Sequence, residues 1–213
     1  MNMGRTGVVL FGVWAGISAL ATAAPQADLV SRSWELVFDF KDPQRITVQG
    51  ESYWYVVFRV TNRTGKDVEF YPSFRLVTNT LHVVEGGAGV SPLVYDTIAE
   101  RHRQEFPFFA SPMKITGTLL QGEENARESA VVFRPFDPEA AKFTVFVSGL
   151  SGEIETRRNP AFDKNQPESQ ANPRMFLFRR TLAIHYDLPG DAQTRASATP
   201  IRRDRSWEMR NTE

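Results

Sequence analysis

Three histidines, His82, His102 and His185, are the side chains of this chain best suited to proton transfer or metal ligation. None stands at ligand spacing from a second ligating residue, so a zinc site would have to be assembled from distant positions. His102 lies between Arg101 and Arg103, a basic triplet suited to an anionic group, although a solvated helix face with His102 partly packed explains it more simply. Carboxylates are scattered: Glu123 and Glu124, Asp163, and Asp187 and Asp191 around Pro189-Gly190. Glycoside hydrolysis needs two carboxyls held about 5 to 9 Å apart across a cleft, and Asp-Pro and Pro-Gly-Asp are more simply turn chemistry. Ser148-Gly149-Leu150-Ser151-Gly152 lacks the nucleophile-elbow pattern, and Gly86-Gly87-Ala88-Gly89 lacks the Lys-Ser/Thr ending of a phosphate loop. Asn62-Arg63-Thr64 fits a glycosylation acceptor, but Asn62 reads better as a turn residue. Tyr53 and Tyr55, with Tyr71, are aromatics on the polar side of their strands, suited to stacking on a sugar or a partner chain, although an inserted loop covering that face explains them as readily. The residues therefore predict no catalytic group, no metal and no cofactor. The surface to inspect for binding is Arg101, His102 and Arg103 with Tyr53 and Tyr55.

A chain of 213 residues holds one substantial core and is short for two full domains. Lys and Arg number 25 against 25 Asp and Glu, so no global field draws it to nucleic acid or an anionic membrane. With no cysteine, disulfides, thiolate ligands and cysteine nucleophiles are excluded together. Stability must come from packing, for which 16 Phe side chains provide volume.

The first residues have the anatomy of an export signal: Arg5, an apolar run from Val8 to Leu20, and the small-residue site Ala21-Thr22-Ala23. Residues 1–23 are expected to be removed, leaving no stable membrane span and placing the protein in the periplasm, on the cell surface or outside the cell. A retained anchor is the rival reading, because residues 7–24 are marginally long enough to span a bilayer core.

Positioning the candidate residues requires strands. Tyr53 to Thr78 reads as two strands joined by the turn Asn62 to Lys66, with Trp54, Val56, Phe58 and Val60 on one face and Tyr53, Tyr55, Arg59 and Thr61 on the other. Trp34 to Lys41 alternates in the same way, Asp42-Pro43 breaks it, and Arg45 to Val48 continues as an edge piece. Tyr71-Pro72 marks a bulge or a break. Leu81 to Val84, Ile115 to Leu120, Ala130 to Phe133, Phe143 to Leu150 and Arg174 to Tyr186 are further strands. One helix is predicted over 92–106, with Ser91 as cap, Pro92 in the first turn, and Val94, Ile98, His102 and Phe106 at four-residue spacing. Glu153 to Pro173 is predicted as a long polar loop, and 191–213 as a polar tail. Within that tail Arg205-Ser206-Trp207-Glu208-Met209 nearly repeats Arg32-Ser33-Trp34-Glu35-Leu36, so the tail is a candidate to add a strand or dock through Trp207.

The run Phe58-Arg59-Val60-Thr61-Asn62-Arg63-Thr64-Gly65 with Val68 to Leu76, and the later block Gly117 to Gly149, resemble the exported bacterial immunoglobulin-like sandwich domains of unknown function. The resemblance covers Leu29 to Tyr186 and implies a fold rather than a catalytic residue. The expected architecture is thus mainly β, an immunoglobulin-like antiparallel sandwich over 29–190 with one inserted helix. The expected role is a non-catalytic interaction or structural module of the cell envelope, its partner an unknown envelope protein or glycan. A hydrolase of envelope polysaccharide or peptide, and a carbohydrate-binding module, are the alternatives.

Overall fold

The alternation along Tyr53 to Asn62 turns Trp54, Val56, Phe58 and Val60 to one neighbour and Tyr53, Tyr55 and Val57 to another, and the rest of the fold is arranged around that strand. The computed structural model describes residues 33–211; the predicted signal over 1–23, and the start of the predicted domain at 29–32, lie outside the described residues. The strands are β1 (Val37–Phe40), β2 (Gln44–Val48), β3 (Glu51–Asn62), β4 (Val68–Phe70), β5 (Ser73–Thr78), β6 (Val83–Glu85), β7 (Gly117–Leu119), β8 (Gly122–Phe133), β9 (Lys142–Ser148), β10 (Ile154–Arg158), β11 (Met175–Asp187) and β12 (Ile201–Asn211), with helix α1 (Pro92–His102) between β6 and β7.

All strand pairs are antiparallel. In the first sheet β3 is central: β8 runs along one side, while β1 and β2 lie end to end along the other, separated by Asp42-Pro43. Proline has no N–H to give the ladder, which is why one edge strand becomes two. In the second sheet β12 pairs β11, β11 pairs β9 and β10 at its two ends, β9 pairs β5, and β5 pairs β6. β4 pairs only β7, in a separate small ribbon. Tyr71-Pro72 is therefore more than a bulge: it is where the chain leaves the ribbon and enters the second sheet. Gly149 makes room there, since its φ is +85° and a Cβ would stand 2.6 Å from the Tyr71 carbonyl oxygen.

Two apolar layers result. Trp54, Val56, Phe58 and Val60 pack against Leu76, Val145, Val147, Leu182 and Ile184 of the second sheet. On its opposite face β3 sends Tyr53, Tyr55 and Val57 against Val94 and Ile98 of α1, with Ile46, Ala130 and Val132 beside them. The order of layers is helix, sheet, sheet. Each fully buried aliphatic side chain in these layers contributes about 1.5–3 kcal/mol of transfer free energy.

The predicted helix over 92–106 ends earlier, at His102. Ser91 occupies the cap position without a side-chain cap bond. The predicted stripe nevertheless continues, because the Phe106 N–H donates to the His102 carbonyl at 2.9 Å and Phe106 packs on the same apolar layer. Pro107 cannot donate and the chain turns away. The predicted loop over Glu153 to Pro173 contains β10, and its remainder is pinned by buried amides: Asn159 Nδ2 donates to the Pro173 carbonyl at 2.7 Å and Asn172 Nδ2 to that of Asp163 at 2.9 Å. The segment expected as a tail carries the 11-residue strand β12 on the sheet edge, so the folded unit runs past 190 to Asn211. Trp207 is partly buried against the core, and the Arg180 guanidinium lies 4.5 Å over its ring while reaching Glu35 at 3.0 Å. The two near-repeated segments, which supply Glu35 and Trp207, thus meet at Arg180.

Candidate functional site

The surface expected from sequence is built differently from its expectation. Tyr53 and Tyr55 are not exposed stacking aromatics: α1 covers them, and they are 5% and 0% accessible. The sequence shows that they share a face but not that a helix forty residues later lies on it. Tyr55 Oη donates to Gln44 Oε1 at 2.9 Å, lies 3.0 Å from His102 Nε2, and accepts from Arg101 Nη1 at 3.2 Å. Arg101 also donates to the Arg45 carbonyl at 2.9 Å, fastening α1 to β2. His102 is buried, and desolvation, reinforced by the Lys41 charge, lowers its pKa below the usual imidazole value. Arg103 faces outward and pairs with Glu100 at 3.3 Å. So Arg101, His102 and Tyr55 do come together, as a clamp between helix and sheet, with Arg103 and Tyr53 outside it.

The other candidates separate. His82 Nδ1 accepts from the Asp137 N–H at 3.1 Å, and His185 Nδ1 lies 2.9 Å from Thr144 Oγ1. Glu123 pairs with Arg63, Asp187 with Arg203, and Asp163 and Asp191 accept from nearby backbone N–H groups as turn residues. Asn62 is fully buried, with Nδ2 donating to the Lys66 and Leu119 carbonyls at 2.8 Å each and Oδ1 accepting from Thr64. The acceptor tripeptide is thereby closed into its turn. Among the described residues no group of three or more His, Asp or Glu is placed to hold a metal, and no helix is long and apolar enough to cross a membrane.

A concave site lies elsewhere, between the two sheets, in a cleft of about 470 Å³. Its floor is Phe58 and Val131 of the first sheet and Phe74 of the second; Ile115 and Met113 form one wall and Tyr95 of α1 another. Two chain segments make it. The β6–α1 connection crosses between sheets, the Gly86 N–H donating to the Phe74 carbonyl at 2.9 Å and the Gly87 N–H to that of Val132 at 2.7 Å. Gly86 is required by space: a Cβ would stand 2.5 Å from Val131 Cγ2 and 2.9 Å from Phe74 Cβ. The second segment, residues 107–116, is fastened to β8. The Ala110 N–H donates to the Glu128 carbonyl at 2.9 Å, Ser129 Oγ to the Ala110 carbonyl at 2.7 Å, and the Phe108 N–H to Glu128 Oε2 at 2.9 Å. Glu128 is itself buried and paired with Arg59.

The chemistry of this cleft is mostly hydrocarbon. Glu85 is the one carboxylate lining it, and Arg75 holds that group with its Nε at 2.6 Å. The Tyr95 hydroxyl makes no hydrogen bond among the described residues, and burial raises its pKa. A cavity of this size, apolar with a sparse polar complement, matches the general form of a small-molecule site. In the sequence Gly86 to Gly89 stand out only as a run that fails as a phosphate loop, and nothing there marks Tyr95 or Met113. The adjacent glycines at 86 and 87, where a chain must pass close between two sheets, were the available signal.

No family model, no curated protein and no solved structure matches this chain. What stands is a mainly β fold of antiparallel sheets with one α-helix among the described residues, and the geometry described above.

Proposed function

We infer that the protein is a non-catalytic binding module built on an immunoglobulin-like sandwich, exported to the cell envelope, and that its site is the cleft between the sheets. The immunoglobulin-like reading draws support from the edge segment 34–40, whose start bonds residues 150–152 beside the second sheet while β1 pairs β3 in the first. Export rests on Arg5, the run Val8 to Leu20 and Ala21-Thr22-Ala23. The observation that carries the binding reading is the cleft itself: about 470 Å³ walled by side chains that an isolated sandwich would use to close its core.

Such a site takes an apolar body. Diphenylhexatriene, a pure hydrocarbon that fluoresces when it leaves water, is the direct probe. Saturable enhancement is expected with the full chain and is expected to be lost in Thr116→Trp and in Ser73→Trp, both of which fill the cleft from exposed rim positions. Enhancement that survives both substitutions contradicts the assignment.

A further inference from the structure

We propose that the cleft selects an uncharged amphiphile, an apolar body ending in one hydroxyl or carbonyl oxygen, with the Tyr95 hydroxyl as the group that reads that oxygen. The proposal rests on the cleft being the binding site and names the class of ligand it takes.

Charge decides first. Glu85 is the sole acidic or basic residue among those lining the cleft. An anionic head group would lose hydration as it entered and find no free cation, because Arg75, the cation beside the lining, is already paired with Glu85. A cationic head group fares little better, because the Arg75 guanidinium already occupies the Glu85 carboxylate. A neutral head group pays neither penalty.

Hydrogen bonding decides next. Tyr95 lines the cleft, its hydroxyl beside the lining residue Gly87 and without a hydrogen-bond partner among the described residues, on a side chain partly buried against the apolar layer beneath α1. A phenol both donates and accepts one bond, so it matches an alcohol or a carbonyl, and a ligand lacking either leaves it to water. The ring is fixed by the helix, and the Gly87 backbone passes close by: a Cβ on Gly87 would lie 3.2 Å from Tyr95 Oη. Oxygen recognition is therefore set beside Gly87, while Phe58, Phe74, Ile115 and Val131 accept the apolar body.

The test is displacement of diphenylhexatriene from the full chain at neutral pH by three molecules with the same ten-carbon body, 1-decanol, decanoate and decylammonium, each below its micelle concentration. Decanol is expected to displace the probe at about tenfold lower concentration than either ion. Tyr95→Phe, which keeps the ring, is expected to weaken decanol about fivefold relative to any change in its binding of the hydrocarbon probe. Equal displacement by decanoate or decylammonium overturns the proposal, as does a Tyr95→Phe variant that binds decanol undiminished. Those results leave the cleft as a site for another ligand. Probe binding that neither Thr116→Trp nor Ser73→Trp reduces removes the site and the proposal together.

Discussion

His102 shows how a residue suited to chemistry becomes a structural one. Buried beneath α1, with the Tyr55 hydroxyl at Nε2 and the Phe106 ring edge-on, it sits among Lys41, Arg101 and Glu105, of which the two cations oppose its protonation and Glu105 favours it. Its folded pKa therefore lies below the unfolded value of 6.5. Between those two values the unfolded chain binds more protons than the folded one, so stability falls as pH drops below about 6.5 and the neutral form gives full stability above it. The carboxylates with lowered pKa values, Glu105, Asp137, Glu155 and Asp191, lose stability only further down, below their unfolded values near 4. Urea denaturation across pH 7 to about 5 is expected to show that decline, and His102→Gln to flatten it. Glu128 carries a second residue-scale expectation. It is 2% accessible and holds both Arg59 and the Phe108 N–H, so Glu128→Gln should destabilise by about 2 kcal/mol in urea titration, since Arg59 and its neighbours lose their charged acceptor. Part of this was legible from sequence: the four-residue spacing of Val94, Ile98, His102 and Phe106 puts His102 on the apolar stripe of the helix, where partial packing is the simpler reading, whereas its partner Tyr55 and the burial of Glu128 depend on elements far apart in the chain.

At the scale of elements, the strands whose one face is buried were readable. Trp54, Val56, Phe58 and Val60 stand where alternation puts them, in the layer shared with the second sheet. The other face of β3 was misjudged because tyrosines carry a polar tip that looks solvent-facing, while α1, inserted forty residues on, supplies their cover. β12 was obscured for the opposite reason. Its sequence, Ile-Arg-Arg-Asp-Arg-Ser-Trp-Glu-Met-Arg-Asn, is charged because it lies on a sheet edge, where charge discourages pairing with other chains. That composition reads as a tail, and only the echo of residues 32–36 in Arg205 to Met209 marked it as a candidate strand, which its ten-pair register with β11 shows it to be. The cleft lay beyond sequence because its lining comes from β3, β5, β8, α1 and the segment before β7, brought together only by the glycine crossing at 86 and 87. That crossing makes its own prediction. Gly86→Ala forces a methyl into Val131 and Phe74 and should cost about 1–3 kcal/mol, lowering the urea midpoint and, since it shifts two floor residues, weakening the hydrocarbon probe as well.

For the molecule as a whole, two sheets bury an aromatic core without disulfides, and the edge strand β12 closes one flank by setting Trp207 under Arg180. A chain ending at Pro200 loses that strand and leaves β11 as an open edge, so it should aggregate on size-exclusion chromatography where the full chain does not. On the opposite arrangement of elements, where α1 and residues 107–116 hold the sheets around a cleft, rests the claim that this scaffold binds an apolar ligand. Methyl-resolved NMR of the folded protein titrated with diphenylhexatriene tests it most directly. Saturable shifts at Ile115, Met113 and Val131, with Val94 and Ile98 on the buried face of α1 unmoved, are the predicted result; no saturable shift at the first three, or larger shifts at the second pair, would contradict it.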